Sequence, residues 1–154
     1  MRRLVTIAAL LAAVPAAAEQ GRSAMQHYGP PQVPGQPPLP FSSAVRAGDV
    51  LYLSGQIGIG ADGRLPAGIE AQTRQAMENI GAVLRSAGRG WDDVFHCTAM
   101  LDNMSDWPAF NRVYVTYFTA GRLPARSAFG TDGLALGALV EVECQAWAGA
   151  RPPR

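Results

Sequence analysis

The chain has 154 residues, of which 48% are hydrophobic and 16% are charged. This length suits one domain with a substantial core, and the composition excludes a largely disordered chain. The formal net charge is +1, and it loses two positive charges if Arg2 and Arg3 are removed by processing. No basic field is then left to hold a phosphate backbone, so we expect no nucleic-acid partner.

The first eighteen residues have the pattern of a secretory signal peptide. Arg2 and Arg3 form a positive start, an apolar run follows over residues 4–14, and residues 16–18 are alanines. The run is too short to span a bilayer. A membrane anchor or a helix of the domain is the alternative, but the alanines and the prolines behind them favour cleavage after Ala18. We expect a periplasmic or secreted protein without stable membrane association.

Residues 19–40 contain six prolines mixed with glycine and glutamine. Such a segment predicts an extended linker or arm rather than a domain. A mobile tail is favoured over an arm that lies on the folded body, although His27 and Tyr28 could make contacts. We expect the folded domain over residues 41–150.

The domain opens with a predicted hairpin. Residues 43–46 and 50–53 are the strands, and Ala47-Gly48-Asp49 is the turn. The second strand ends in Ser54-Gly55-Gln56. A glycine at this point indicates either a close approach of another group or simple strand termination.

Two amphipathic helices and three further strands follow. Apolar residues recur at three- and four-residue intervals over 69–87, which predicts a helix closed by Gly88. A second helix is capped by Ser105 or Asp106. Its apolar stripe, interpreted as core, is Phe110, Val113, Tyr114, Tyr117 and Phe118. The three strands are expected at residues 94–101, 125–129 and 139–147.

The order β-β-α-β-α-β-β predicts an α+β domain in which two helices cover one face of a mixed sheet. The uncovered face, if it is apolar, favours association into a closed cyclic oligomer. Cys97 and Cys144 both fall in strands. A disulfide is possible in an exported protein, but two buried free thiols are favoured because sequence does not show the geometry that a bridge needs. Neither has metal-ligand spacing, so no metal site is expected.

A cation and a carboxylate near the C-terminus are candidate binding and catalytic groups. Arg126, in Pro124-Ala125-Arg126-Ser127, can bind a carboxylate through two parallel hydrogen bonds. Glu141 can orient water or move a proton. Their alternatives are a surface ion pair for Arg126 and, for Glu141, a solvent-facing position like that of Glu143. Together the groups suit hydrolysis of a small acid.

The ordered set of motifs resembles the RidA family, also called the YjgF or L-PSP ribonuclease-like family, of enamine/imine deaminases. The resemblance covers residues 40–148. The motifs that carry it are Pro40-Phe41-Ser42, Leu53-Ser54-Gly55-Gln56-Ile57, Gln72-Thr73-Arg74-Gln75, Glu78-Asn79, Phe110-Asn111, Pro124-Ala125-Arg126-Ser127 and Val140-Glu141-Val142-Glu143.

The resemblance implies a chorismate-mutase-like fold assembled as a homotrimer, with ligand sites in the clefts between subunits. It implies hydrolysis of reactive 2-imino or enamine acids to 2-keto acids and ammonia, without a cofactor. Arg126 would bind the substrate carboxylate. Glu141 would activate the attacking water and help to protonate the departing nitrogen.

The same resemblance extends the substrate site to Gly55, Ser54, Phe41 and Asn111. Gly55 would let its backbone approach the ligand, and Asn111 would supply an amide, with an outward position on the helix as its alternative. The chain departs from the family's studied deaminases at Phe41, where they have tyrosine, and at Ala128, where they often have cysteine. These changes affect the placement of water and the range of side chains accepted.

Two other functions are weighed against deamination. One is a non-catalytic trimeric protein that binds small carboxylates through Arg126. The other is ribonuclease activity, which is disfavoured because no basic patch is evident and because His27 and His96 do not form a catalytic pair. Export adds a difficulty, since the family's best-known substrates arise in the cytoplasm, so a different imine is possible.

Overall fold

The computed structural model describes residues 25–29 and 39–150. Within them, one mixed sheet carries two helices on a single face, which confirms the predicted α+β architecture. The predicted signal peptide and most of the proline-rich arm lie outside the described residues. None of the helices in the described part is long and apolar enough to cross a membrane.

The sheet has seven strands in the order β1-β2-β3-β7-β5-β6, with β4 also paired to β7. Only the β5 and β6 pair is parallel among the described strands. Strand β6 is the last in this order, so it lies at an edge of the sheet. The elements are β1 Gln26–Tyr28, β2 Ala44–Ala47, β3 Val50–Leu53, β4 Gln56–Ile57, α1 Ile69–Ser86, β5 Val94–Leu101, α2 Trp107–Tyr114, β6 Ala125–Gly130 and β7 Val140–Trp147.

The core lies between the helices and one side of the sheet, which we call the helix face. Alternate residues of β7 point to it, because successive side chains of a strand point to opposite sides. The intervening residues, Glu141 and Glu143 among them, point to the other side, the open face. The buried helix-face residues of β7 and their main helix partners are Val140, Val142, Cys144, Ala146, Met77, Ile80, Leu84 and Phe110.

The ends of the helices are partly as predicted. Gly88 follows α1 with a φ of 67°, and its N–H donates to the Arg85 carbonyl at 2.9 Å, which confirms the predicted stop. At the start of α2, Asp106 occupies the cap position without a side-chain hydrogen bond. Instead Asn103 Oδ1 accepts from the Ser105 N–H at 2.9 Å, one turn earlier, so neither predicted residue caps through its side chain.

Cys97 and Cys144 form a disulfide, so the expectation of two free thiols is wrong. The two residues are direct partners in the antiparallel pairing of β5 with β7, and their Cα atoms are 4.1 Å apart. Both side chains are buried on the helix face. The sequence predicted both strands but not their register, and the register is what brings the two sulfur atoms together.

The segment Gln26–Tyr28 forms an edge strand, β1, that pairs antiparallel with β2. His27 Nδ1 also lies 3.3 Å from Ser42 Oγ. The mobile tail that we expected is therefore wrong for these residues. They precede the first proline of the arm, at residue 30, so their N–H groups remain free to pair with the sheet.

Candidate functional site

Arg126 lies on the edge strand β6 and points to the helix face. Its backbone partner in β5 is Cys97. The guanidinium carbon is 4.5 Å from the ring centre of Tyr114, 4.6 Å from that of Trp107 and 5.5 Å from that of Phe110. These distances are typical of a cation held against aromatic faces. Arg126 is half-buried against α2 rather than extended into solvent.

The guanidinium of Arg126 takes part in no ion pair within the described residues. The two pairs found there join Arg46 with Asp49 and Arg112 with Glu70. The guanidinium of Arg126 is thus in contact with aromatic rings, and it forms no ion pair with a carboxylate of the described residues. A cation in this state suits an anionic ligand better than a structural ion pair.

Two buried polar atoms on α2 accompany this cation. Within the described residues, neither Asn111 Oδ1 nor Tyr114 OH has a hydrogen-bond partner. Burial raises the pKa of Tyr114 to about 12 although Arg126 opposes the shift, so the hydroxyl stays protonated. Because buried polar atoms nearly always have a partner, we expect a ligand or a neighbouring chain to supply one. The buried oxygen of Asn111 argues against the outward alternative.

Glu141 lies on the open face of β7, opposite Met100 of β5 and Ile57 of β4. Burial raises the pKa of its carboxyl above the ordinary value, and the neighbouring charge of Glu143 raises it further. Glu141 therefore holds a proton to higher pH than a solvated glutamate does. This property suits a group that takes a proton from water and passes it on.

Gly55 packs directly against the carboxylate of Glu141. A Cβ placed on Gly55 would lie 2.9 Å from Glu141 Cδ and would overlap Oε1. The close approach that the strand glycine predicted is thus made by a side chain of the same chain. Gln56 Nε2 donates to the carbonyls of Ser54 and Gly55, at 3.1 Å each, which fixes the backbone there.

Ser54 and Phe41 belong to the same region. Ser54 Oγ donates to the Ser42 carbonyl at 2.7 Å, which joins the end of β3 to the segment that carries Phe41. The Phe41 ring is 49% exposed. The predicted substrate roles of both residues stay predictions.

The predicted site residues therefore form two groups within one chain. Arg126 and Asn111 lie on β6 and α2, whereas Glu141, Gly55 and Ser54 lie around β7 and β4. Strand β5 separates β6 from β7, and Arg126 is in register with Cys144, so Glu141 lies two strand spacings across the sheet and three residues along it from Arg126, roughly 14 Å between Cα atoms. They also point to opposite faces of the sheet. The structure does not bring them together within one chain.

The described residues contain a cavity but no candidate metal cluster. No cluster of three or more histidine, cysteine, aspartate or glutamate side chains in the described residues could hold a metal ion. A cavity of about 330 Å³ opens beside Trp91, Phe118 and Pro124, and none of the predicted site residues lines it. This cavity is therefore separate from the predicted site.

The sequence and the fold of this chain are similar to those of known proteins. Residues 34–148 match the family described as Endoribonuclease L-PSP. The chain belongs to this family, which includes the RidA and YjgF proteins. The L-PSP match covers the whole sheet except β1, together with both helices. It confirms the family that the sequence motifs predicted.

Two curated relatives of this L-PSP protein show the extent of the similarity. The mouse protein named 2-iminobutanoate/2-iminopropanoate deaminase is 39% identical over 106 residues, which are 68% of this chain and 78% of the mouse protein. A RutC family protein from Pyrococcus horikoshii is 40% identical over 110 residues, which are 70% of this chain and 86% of that protein.

Solved structures of the L-PSP family share the fold. RidA from an Antarctic Psychrobacter is 32% identical with a TM-score of 0.69, over 82% of this chain and 99% of that one. A Rid family protein of unknown function from Yersinia pestis is 36% identical with a TM-score of 0.71, over 80% and 99%. The match to nearly the full length of both confirms the fold class.

Sequence reasoning missed one residue of this region, Trp107. The apolar stripe of α2 was interpreted as core, and Phe110 and Tyr114 are indeed buried. Trp107 begins the same stripe at i, with its companions at i+3 and i+7, so all three rings face one direction. That spacing, beside a strand that carries Arg126, was the available signal.

Proposed function

We propose that this L-PSP family protein hydrolyses 2-imino or enamine acids to 2-keto acids and ammonia. The observation that carries the proposal is the half-buried guanidinium of Arg126, held on rings and outside the ion pairs of the described residues. Such a group recognises a carboxylate. The names of the mouse, rat, goat and bovine relatives supply the reaction.

The proposed site lies in the cleft between two copies of the chain in a homotrimer. Arg126 and Asn111 of one copy would face Glu141, Gly55 and Ser54 of the next. The support is the placement of Arg126 and Glu141 on opposite faces, since a single chain cannot present both to one small molecule.

The open face supports the same assembly. Its strands carry large apolar side chains at the surface, with Tyr52 48%, Phe129 49% and Trp147 41% exposed. Exposed apolar groups collected on one side of a sheet favour association. In a closed ring each chain uses one surface to cover a different surface of its neighbour, which is the arrangement that a composite site needs.

The chemistry follows from the two groups. Arg126 binds the substrate carboxylate through two of its N–H donors, which places the neighbouring imine carbon in the cleft. Glu141 of the next copy removes a proton from a water molecule as the oxygen attacks that carbon, giving a carbinolamine. Starting from a protonated imine, the same carboxyl then protonates the carbinolamine nitrogen, accepts the hydroxyl proton as the C–N bond breaks, and releases that proton to solvent, which leaves a keto acid and ammonia. No cofactor takes part in these steps.

A non-catalytic carboxylate-binding trimer is the second candidate. Phe41 and Ala128 favour it, because they offer no hydroxyl or thiol to place the water, whereas the Arg126 contact is unaffected. Binding without turnover would identify this function. Ribonuclease activity is not proposed, because the net charge of +1 gives no basic field for a phosphate backbone.

We also propose that the protein is exported and loses residues 1–18. The disulfide between Cys97 and Cys144 supports export, since such bonds persist mainly in oxidising compartments. The test is the intact mass of protein recovered from the periplasm or medium of the expressing bacterium. A mass without the first eighteen residues is expected, and a full-length protein in the cytoplasm would contradict export.

The test of the function is hydrolysis of 2-iminopropanoate generated in situ by an amino acid oxidase. Arg126→Ala should lower kcat/KM by about tenfold to a hundredfold, since it removes a charge-assisted contact. Arg126→Lys should not restore full activity, because an ammonium lacks the planar fork. Arg112→Ala is the matched control, as Arg112 pairs with Glu70 on the surface. Equal activity of wild type and Arg126→Ala would contradict the proposal.

A further inference from the structure

Three rings on one side of α2 surround the guanidinium of Arg126. Trp107, Phe110 and Tyr114 lie at i, i+3 and i+7 of the helix and all lie within 5.5 Å of its central carbon, measured to the ring centres. The Trp107 and Phe110 rings stack at 5.9 Å between centres, and Phe110 and Tyr114 are 5.3 Å apart. The rings form a continuous surface rather than three separate contacts. We name these three residues the aromatic cradle.

We propose that the aromatic cradle fixes the orientation of the Arg126 guanidinium, and that Trp107 is a positioning residue for carboxylate binding. This inference rests on the proposed function of Arg126 as the substrate clamp. It adds a role for Phe110 and Tyr114, which the predicted helix stripe assigns only to the core, and for Trp107, which that stripe does not include.

The aromatic rings stabilise the charge of Arg126 in the absence of an ion pair. A half-buried guanidinium without a carboxylate partner loses part of its hydration, and the negative faces of aromatic rings offset this loss. Aromatic rings supply no carboxylate or carbonyl acceptor, so this contact does not use the hydrogen bonds that the guanidinium can donate to a carboxylate. The cradle therefore stabilises the charge and leaves the fork free for a ligand.

The aromatic rings also restrict the motion of the Arg126 side chain. An arginine side chain on an exposed edge strand samples many rotamers, and binding a ligand with it requires that freedom to be lost. Contact with three rings restricts the guanidinium before the ligand arrives. Carboxylate affinity should therefore depend on the cradle as well as on Arg126 itself.

Trp107 is the member of the cradle that can be changed with least disturbance. Phe110 and Tyr114 are 0% and 3% exposed and belong to the core, whereas Trp107 is only partly buried at the first turn of α2. Its indole also has the most strongly negative face of the three ring types. Substitutions at this position test the cradle without opening a cavity in the core.

The experiment measures the affinity of the full-length protein for 2-oxobutanoate, a stable carboxylate of the product class, by isothermal calorimetry. Trp107→Leu should weaken binding about 3-fold to 30-fold. Trp107→Phe, which keeps a ring, should recover most of the affinity. Trp91→Leu is the matched control, because Trp91 is a partly buried indole that packs on Tyr117 and Phe118. It should bind like wild type.

A second measurement separates positioning from folding. Site-specific replacement of Trp107 by tetrafluorotryptophan keeps the shape of the ring and weakens its negative face. The affinity for 2-oxobutanoate should fall while the melting temperature stays within about 2 °C of the wild-type value.

The outcomes distinguish this inference from the proposed function. If Arg126→Ala abolishes 2-oxobutanoate binding while the leucine and fluorinated variants of Trp107 bind like wild type, the cradle is wrong and the clamp stands. If Arg126→Ala itself binds like wild type, both are wrong. Loss of affinity in both Trp107 variants together with Arg126→Ala supports the cradle, whether or not the protein turns over an imine.

Discussion

Gly55 and Glu141 are in direct contact, with the carboxylate occupying the place where any larger residue would put its Cβ. Gly55→Ala should therefore displace Glu141 or the backbone of β4. We expect at least a tenfold loss of imine hydrolysis, because the displaced carboxylate is the proposed base, and only a small loss of stability, because the overlapped atoms belong to the end of a flexible side chain. Gly90→Ala is the control, because a Cβ there meets nothing within 4 Å. Wild-type kcat in Gly55→Ala would exclude a catalytic role for the placement of Glu141.

The raised pKa of Glu141 predicts the pH dependence of the reaction. Burial and the charge of Glu143 both hold the proton on Glu141, and a protonated carboxyl cannot activate water. Activity should thus fall as the pH drops through the pKa of Glu141, which lies above that of an ordinary glutamate. Glu143→Gln removes one of the two causes, so this acidic limb should move to lower pH. A pH profile of kcat/KM tests this, with Glu70→Gln on α1 as the control. An unchanged limb in Glu143→Gln would show that another group controls it.

Glu141 should cost stability at neutral pH. Because its folded-state pKa is raised, its contribution to stability is fully present below the unfolded pKa, about pH 4, and is lost as the pH rises through the folded pKa. Glu141→Gln removes this loss. The variant should therefore be inactive yet melt at a higher temperature than wild type at pH 7, with a smaller difference at pH 4. Thermal melts at the two pH values provide the measurement, and a less stable variant at pH 7 would refute the expectation.

The disulfide should contribute about 2–4 kcal/mol of stability, because it closes a long loop, with a sequence separation of 47 between its cysteines, and links β5 to β7. Its sulfur atoms are buried, so a reductant should act only when the protein opens. Chemical unfolding with and without dithiothreitol measures the effect. Wild type should lose stability under reduction, whereas Cys97→Ala/Cys144→Ala should be equally stable in both conditions. Equal stability of wild type with and without dithiothreitol would show that the bond contributes nothing.

The two helices and the strands other than β1 and the two-residue β4 were predictable from sequence patterns, because burial on one face imposes periodicity. Strand register was not, and register is what pairs Cys97 with Cys144. The β1 strand was also missed, since the prolines from residue 30 onward dominated the composition around it. A similar limit applies to the site. The motifs named Arg126 and Glu141, but only the sheet order and the direction of each side chain showed that they face opposite sides.

The role of Trp107 shows why a helix stripe is hard to interpret from sequence. The spacing of Trp107, Phe110 and Tyr114 predicts a common face, and core packing explains such a face without further assumptions. The cation beneath the rings belongs to a strand that begins eleven residues after α2 ends. Its contact with the helix depends on the parallel pairing of β6 with β5. That pairing is a tertiary feature that the periodicity of neither element contains.

The composite site is tested most directly by mixing two variants that each lack one of its two main groups. Arg126→Ala and Glu141→Gln are unfolded together and refolded as mixed oligomers. If each site takes Arg126 from one copy and Glu141 from its neighbour, random mixing into trimers should restore about one quarter of wild-type activity per chain, because one interface in each mixed trimer is intact. If both residues act within one chain, no mixture regains activity. That second result would contradict the account.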